Sequence, residues 1–483
     1  MQSTCHYMKY SLLLGAFLWT TSASLAQNLL GISTSNYGGT NRLYINPAFA
    51  ADSPQDIYLN ALTGNVHVNN NHVRYQAPFS LLRLLTGAVP SRYKRADGSI
   101  QFEPNYTKEM LNGKPKSGTV WGEVRGPSIL KRLGERRAIA FTSRFRAVGQ
   151  AAGASEPVLS AIRSGLGENV LLGIPSTNNQ ISINTNTYTE LGLTYAGTLW
   201  DVGGRKLMLG ATAKVLVGYN AQHFINRGLD YRIVADAANP NRAYLEVTRL
   251  DANLGYTTFL QNRRLGLRTL LSRSSPGRGV GLDVGFTYVN QYDSSSPAWQ
   301  LGLALTDLGG LTYRGSEYNY ADIAERPVEF TNSDFNNLNG TVATARLIQE
   351  KLTTNRGPDR TSFRAGLPTS LNLTFDYRLP QGFGLNVTYL QDVRSVRATA
   401  IHQPTLLAVT PRFETRLVSL AVPVAYLNRG LTAGVSVRVG PAWLGTDNIL
   451  GLTGNSTIGI RPRGLDLYAG IAFGIGQTRR NEE

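Results

Sequence analysis

Residues 465–476 read Leu465-Asp466-Leu467-Tyr468-Ala469-Gly470-Ile471-Ala472-Phe473-Gly474-Ile475-Gly476. Leu465, Leu467, Ala469, Ile471, Phe473 and Ile475 alternate with Asp466, Tyr468, Gly470, Ala472, Gly474 and Gly476. Side chains on a strand repeat every second residue, so this stretch has one greasy face and one small or polar face. That is the wall of a transmembrane β-barrel, apolar towards lipid and polar towards the lumen.

Working outward, the same design recurs. The clearest pair is Tyr188–Leu199 and Lys206–Tyr219, joined by Asp201-Val202-Gly203-Gly204. On the second, Leu207, Leu209, Ala211, Ala213, Val215, Val217 and Tyr219 share a face. Such a run outlasts the usual strand of about five or six residues, and a tilted strand of about nine to eleven crosses a bilayer. Further strands start at Val280, Leu371, Phe383 and Leu431, with weaker ones near 57–68, 137–147, 243–258, 299–306, 405–413 and 417–426. The expectation is an all-β fold, a single transmembrane antiparallel β-barrel of about fourteen strands over residues 57–476. Pro78–Leu85, Glu156–Leu166 and Thr341–Leu352 are helical by spacing and are expected to pack loops onto the rim. Tyr313–Arg364, rich in Tyr, Asn and Asp, reads as a long connection.

The N-terminus has the parts of a secretory signal over residues 1–26. Lys9 is the charge, Tyr10–Trp19 the short apolar stretch and Ser24-Leu25-Ala26 the cleavage site, leaving Gln27 first. The one cysteine, Cys5, departs with it, so no thiol chemistry remains. No later run approaches the roughly eighteen apolar residues of a spanning helix. An exported chain of net charge +16, its basic residues scattered, is poorly suited to nucleic acid. Outer-membrane lipid and the phosphates of lipopolysaccharide suit that charge better. Residues 27–56 precede the first strand, and 477–483 form a short tail.

Catalytic constellations are missing. The chain has no GxSxG elbow, no HExxH and no phosphate-cradling GxxxxGK[ST]. Beyond the signal only His67, His72, His223 and His402 remain, which is a thin basis for a metal centre. Gly277-Arg278-Gly279-Val280-Gly281 runs into a strand, unlike a dinucleotide loop, which opens a helix. Inward Asp283, Asp376 and Asp466, set against Lys214, Arg378 and Arg438, read as a charge-compensated lumen. The expectation is a protein that is no enzyme and takes no cofactor or metal.

The segment Tyr37-Gly38-Gly39-Thr40-Asn41-Arg42-Leu43-Tyr44-Ile45-Asn46-Pro47-Ala48 carries a resemblance. Asn-Pro-Ala between a signal and a barrel resembles the N-terminal hatch of FadL-type fatty-acid transporters. Gly281–Tyr288, Leu301-Gly302-Leu303 with Asp307-Leu308-Gly309, and Gly440-Pro441 with Gly445-Thr446-Asp447-Asn448 are similar to a Bacteroidota outer-membrane barrel family of unknown function. That family is close in plan to PorV-type and FadL-type barrels. The resemblance implies an internal N-terminal plug over 27–56, with Gly38, Gly39, Asn46, Pro47 and Ala48 as hatch residues. The ending Arg479-Arg480-Asn481-Glu482-Glu483 departs from the aromatic terminus common in such barrels.

A wall of about fourteen strands encloses more than its own side chains fill. One reading is passive, porin-like passage of a small hydrophobic compound, gated by the hatch, with an apolar pocket beneath helical loops. The other is a sealed barrel that presents its loops to a secretion or surface-assembly partner. Short turns at 201–205 and 380–382 should face the periplasm.

Overall fold

The computed structural model describes residues 29–476, apart from 165–171, 237–238, 262, 264–265, 271, 292–295, 321–326, 332–333, 335–340, 352–356, 396–397 and 428–429. The signal, the C-terminal tail and the last residues of the Glu156–Leu166 expectation lie outside the described residues.

Fourteen strands form one closed antiparallel barrel. They are β1 (Ile57–Asn70), β2 (Lys116–Arg125 continued by Ser128–Leu133), β3 (Arg137–Ala154), β4 (Ser176–Val202) and β5 (Arg205–Asp236). Next come β6 (Asn239–Tyr256 continued by Gly277–Asn290), β7 (Ala298–Tyr320 continued by Val328–Thr331) and β8 (Arg360–Gly366 continued by Ser370–Arg378). Then follow β9 (Phe383–Asp392), β10 (Leu406–Glu414) and β11 (Val418–Ala421 continued by Val424–Leu427). The circle ends with β12 (Gly430–Ala433 continued by Val435–Val439), β13 (Ala442–Thr446) and β14 (Gly464–Ile475). Ile57 faces Ile475, and Asn69 faces Gly464, so β14 closes on β1 and leaves no sheet edge.

Exposure follows the alternation. Leu193, Val215, Val280, Phe286, Leu301, Leu373, Val437 and Phe473 are exposed on the outer wall, while Thr194, Lys214, Asp283, Thr374 and Asp466 are buried inside. No helix among the described residues is long and apolar enough to cross a membrane. The strands carry the apolar outer surface.

The connections sort by end. Residues 203–204, 379–382, 415–417 and 440–441 make short turns, and each follows an even-numbered strand. They therefore share one end, and the turns at 201–205 and 380–382 lie together. The other end carries the long connections, with helices Leu81–Leu85, Glu156–Ser164, Thr341–Lys351 and Ile449–Thr453. Tyr313–Arg364 is not one long connection, because 313–320 and 328–331 belong to β7 and 360–364 to β8.

The strands β4 to β7 rise well above their neighbours, β4 and β5 reaching 27 and 32 residues. Facing residues share a side of a sheet. Glu190 and Lys214 face the lumen, and the register carried upward puts Asn184, His223, Gly255 and Glu317 on that side. Phe224, Leu254, Tyr256 and Tyr318 then lie on the outer side. Val158 of helix Glu156–Ser164 and Ala345, Leu347 and Ile348 of helix Thr341–Lys351 pack with this outer cluster. Those helices brace the tall sheet from outside.

Candidate functional site: the lumen and its N-terminal segment

Residues 29–56 pair with no strand. They coil through the lumen in short turns, Leu30–Ser33, Gly39–Arg42 and Pro47–Ala50, and nearly every side chain is buried. Asn46 starts the last turn, its Oδ1 accepting from the Ala48 N–H at 2.9 Å, with Pro47 at the first position where a missing donor costs nothing.

The wall is cut away to receive that turn. A Cβ on Gly210 of β5 would fall within 3 Å of Pro47 and Ala48, and one on Gly285 of β6 within 3 Å of Asn46. One on Gly302 of β7 would come to 3.0 Å from Asn46 Nδ2. These glycines open a hollow that a larger residue would fill. The Asn46 amide donates to the Phe286 carbonyl at 2.8 Å, and Asn372 Nδ2 donates to the Ile45 carbonyl at 2.8 Å. Around this seat Leu43, Ile45, Phe49, Leu130, Ala138, Ala196, Met208 and Val289 form one apolar cluster. Gly39 has φ +50°, and a Cβ there would strike the Tyr58 ring, whereas Gly38 has ordinary φ and is tight because the Ile32 carbonyl and the Arg42 side chain are close.

Above the seat lies a layer of charge. Arg144 Nη2 reaches Glu190 at 2.6 Å, Arg146 Nη1 reaches Asp307 at 2.7 Å, and Lys214 Nζ reaches Asp283 at 2.7 Å and also pairs with Asp307. Glu123 takes Arg125 and, at 3.3 Å, Arg146. Four cations from β2, β3 and β5 thus meet four carboxylates from β2, β4, β6 and β7, all buried. Removing one member would leave a buried charge unpaired. The segment joins this layer through Tyr44, whose ring lies between the Arg125 and Arg144 guanidinium groups at 4.4 and 4.1 Å. Across the lumen Arg412 pairs with Asp376 at 2.7 Å and Glu414 at 2.9 Å, while Arg378 approaches Asp52 of the segment at 3.5 Å.

The start of the segment docks on a second carboxylate pair. The Leu30 N–H donates to Asp447 Oδ2 at 3.0 Å, and the Gly31 N–H to the Tyr468 hydroxyl at 3.1 Å. Tyr468 in turn donates to Asp447 Oδ1 at 3.1 Å. Asp466 accepts the Asp447 N–H at 2.7 Å and lies 3.3 Å from His67 Nδ1.

Two cavities lie among the described residues, and both are small and partly polar, unlike the expected apolar pocket beneath the loop helices. Helices Glu156–Ser164 and Thr341–Lys351 cover the outer side of the tall sheet, and the luminal side there carries Asn184, Asn186, His223 and Glu317. A cavity lined by Asn184, Asn186, His223 and Phe363, and another lined by Arg42, Phe49, Gln300 and Asp376, each have room for about one water. His67 and His72 sit beside Asp466 and Glu109, and no group of three metal-type ligands occurs among the described residues.

Inward Lys214, Asp283, Asp376 and Asp466 were legible from strand parity. Glu123, Arg125, Arg144 and Arg146 were not singled out, although Arg144-Phe145-Arg146 shows the same alternation.

A family model described as a family of unknown function, DUF5723, matches residues 47–447, and the chain belongs to that family. No curated protein matches it. Among solved structures, the Pseudomonas putida toluene transporter TodX is similar at 8% identity and TM-score 0.42, covering 95% of this chain and 99% of that one. The Ralstonia pickettii toluene transporter TbuX gives 10% identity, TM-score 0.39 and coverage of 93% and 98%. A Pseudomonas aeruginosa FadL homologue gives 10% identity, TM-score 0.34 and coverage of 94% and 100%.

Proposed function

With membership of that family as premise, we propose that this chain is an outer-membrane barrel, exported by its N-terminal signal, through which a small hydrophobic compound passes when the N-terminal segment moves. The observation that carries this reading is the seat. Residues 29–56 fill the lumen without joining the sheet, and the wall glycines 210, 285 and 302 are hollowed to fit Asn46-Pro47-Ala48. A segment held by side-chain hydrogen bonds and apolar contact can leave as a unit, whereas a paired strand would have to break a ladder. Its departure would bare Leu130, Ala138, Ala196, Met208 and Val289, a surface that suits an apolar cargo. Gly39, Asn46, Pro47 and Ala48 then act as hatch residues that fix the turn in its seat, with Gly38 letting the chain fold tightly beside Ile32. The long connections face the exterior, as the short turns of such barrels face the periplasm.

The charge layer favours a second reading, a shut barrel that offers its loops to a secretion partner. A reversible lock separates the two. Once the signal is removed the chain has no cysteine, so Ile45→Cys with Asn372→Cys ties segment to wall and nothing else. Cells carrying the pair should take up labelled fatty acid only after reduction, and deleting residues 37–48 should raise uptake. Uptake unchanged by complete cross-linking would remove the hatch, and no uptake across a ligand panel by a folded barrel would favour the shut module.

A further inference from the structure

The connection from β1 to β2, residues 71–115, folds into a small lobe. Val73–Tyr75 pairs with Thr107–Glu109, and Phe79 is ringed by Tyr75, Tyr93 and Tyr106 with centroids at 6.4, 5.3 and 5.6 Å. The lobe is stitched to the connection between β13 and β14, with the Tyr75 N–H donating to the Pro462 carbonyl at 2.8 Å and the Ser456 N–H to the Ala77 carbonyl at 2.9 Å. Helix Leu81–Leu85 packs on helix Ile449–Thr453, which packs on Gly430–Ala433 at the head of β12.

This stack has an apolar outside. Leu431 on the wall is 73% exposed, Leu450 above it 44% and Leu85 on the lobe 55%, with Leu82 and Ile458 also exposed. The strip continues the lipid-facing wall upward past the last strand residues. Basic side chains border it. Arg83 follows Leu82 on its helix, Arg461 and Arg463 are exposed on the approach to β14, and the Arg463 guanidinium lies beside Gly430. Arg83, Arg461 and Arg463 make no ion pair among the described residues. Across 71–115 there are seven basic residues against three acidic ones.

Exposed leucines beside the wall and unpaired arginines bordering them match a lipid at the membrane boundary, acyl chains on the leucines and headgroup phosphate on the arginines. The guanidinium fork suits phosphate oxygens in pairs. We propose that Arg83, Arg461 and Arg463, with Leu82, Leu85, Leu431 and Leu450, form a binding site for a phosphorylated lipid of the outer leaflet. The leaflet rests on the reading above that the long connections face outward.

The test uses the full mature chain in detergent, titrated with bis-phosphorylated lipid A and with its dephosphorylated form by native mass spectrometry. Phosphorylated lipid should bind at least about tenfold more tightly, and the triple change R83Q/R461Q/R463Q should remove that preference. The pair K131Q/R136Q, at the short-turn end, should leave it intact and shows that net charge alone does not account for the loss. Equal binding of both lipids, an unaffected triple variant or an equal loss in the control pair would each overturn the site. Ser91→Cys, labelled on intact cells by an impermeant maleimide, reads orientation separately. Phosphate-selective binding without labelling would overturn the outer-leaflet assignment and the outward orientation together, while labelling without selective binding would overturn the lipid site alone.

Discussion

On one side of the barrel, Gly281-Leu282-Asp283 of β6 lies against Thr306-Asp307 of β7; seven strands away on the opposite side, Gly464-Leu465-Asp466 of β14 lies against Thr446 at the end of β13 and Asp447 just after it. In each, the first aspartate accepts the backbone N–H of the second at 2.7 Å. The backbone device is the same and its filling differs. The Asp283/Asp307 pair is saturated by Lys214, Arg144 and Arg146, all fixed in the wall. The Asp447/Asp466 pair instead receives the Leu30 N–H, the Tyr468 hydroxyl and His67. One latch belongs to the wall alone, and the other is completed by the segment that occupies the lumen.

That contrast can be broken at several points. Lys214→Met leaves two buried carboxylates facing Arg144 and Arg146 alone. It should cost about 3–5 kcal/mol, seen as a lowered urea midpoint in detergent with the segment still docked. Asp447→Asn puts an amide NH2 in place of one accepting oxygen, leaves a buried donor unmatched and should cost about 1–3 kcal/mol, with faster hydrogen exchange confined to residues 29–36. If both variants loosen the same residues, the two latches are not distinct. Gly285→Ala presses a methyl on Asn46 and should cost about 1–3 kcal/mol. It should speed exchange at 44–50 and spare 29–36, separating the seat from the latch. His67→Gln keeps a neutral partner for Asp466 and should cost only about 0.5–1.5 kcal/mol, the smallest effect of the four. A larger loss would show that Asp466 depends on the imidazole of His67 as the other pair depends on its lysine.

The alternation that revealed the barrel stops working where the backbone flips it. β5 was legible only as Lys206–Tyr219, because an irregularity at Tyr219 and another at Asn226–Gly228 exchange the two faces, and a fixed period cannot follow them. β2 escaped notice because Gly126-Pro127 divides it and its inner face carries Glu123 and Arg125 where a strand pattern looks for small residues. β13 has only five residues, too few to declare a period. Of the candidate site, the Asn-Pro-Ala turn and the inward aspartates could be read directly. Gly210, Gly285 and Gly302 could not, since their reason is a turn more than 160 residues earlier in the chain. Glycine in a strand announces that something approaches, never what.

The bond from Leu30 to Asp447 spans 417 positions. During biogenesis the N-terminal segment must therefore wait for the penultimate strand before its first turn can dock, and Gly31 waits for Tyr468 on the final one. The entropy of closing so long a loop rises only logarithmically with length, so the delay is set by the order of synthesis rather than by search. A barrel stalled before its last hairpin would hold a loose segment, open to proteolysis. Protection of residues 29–36 thus reports on whether the cylinder has been completed.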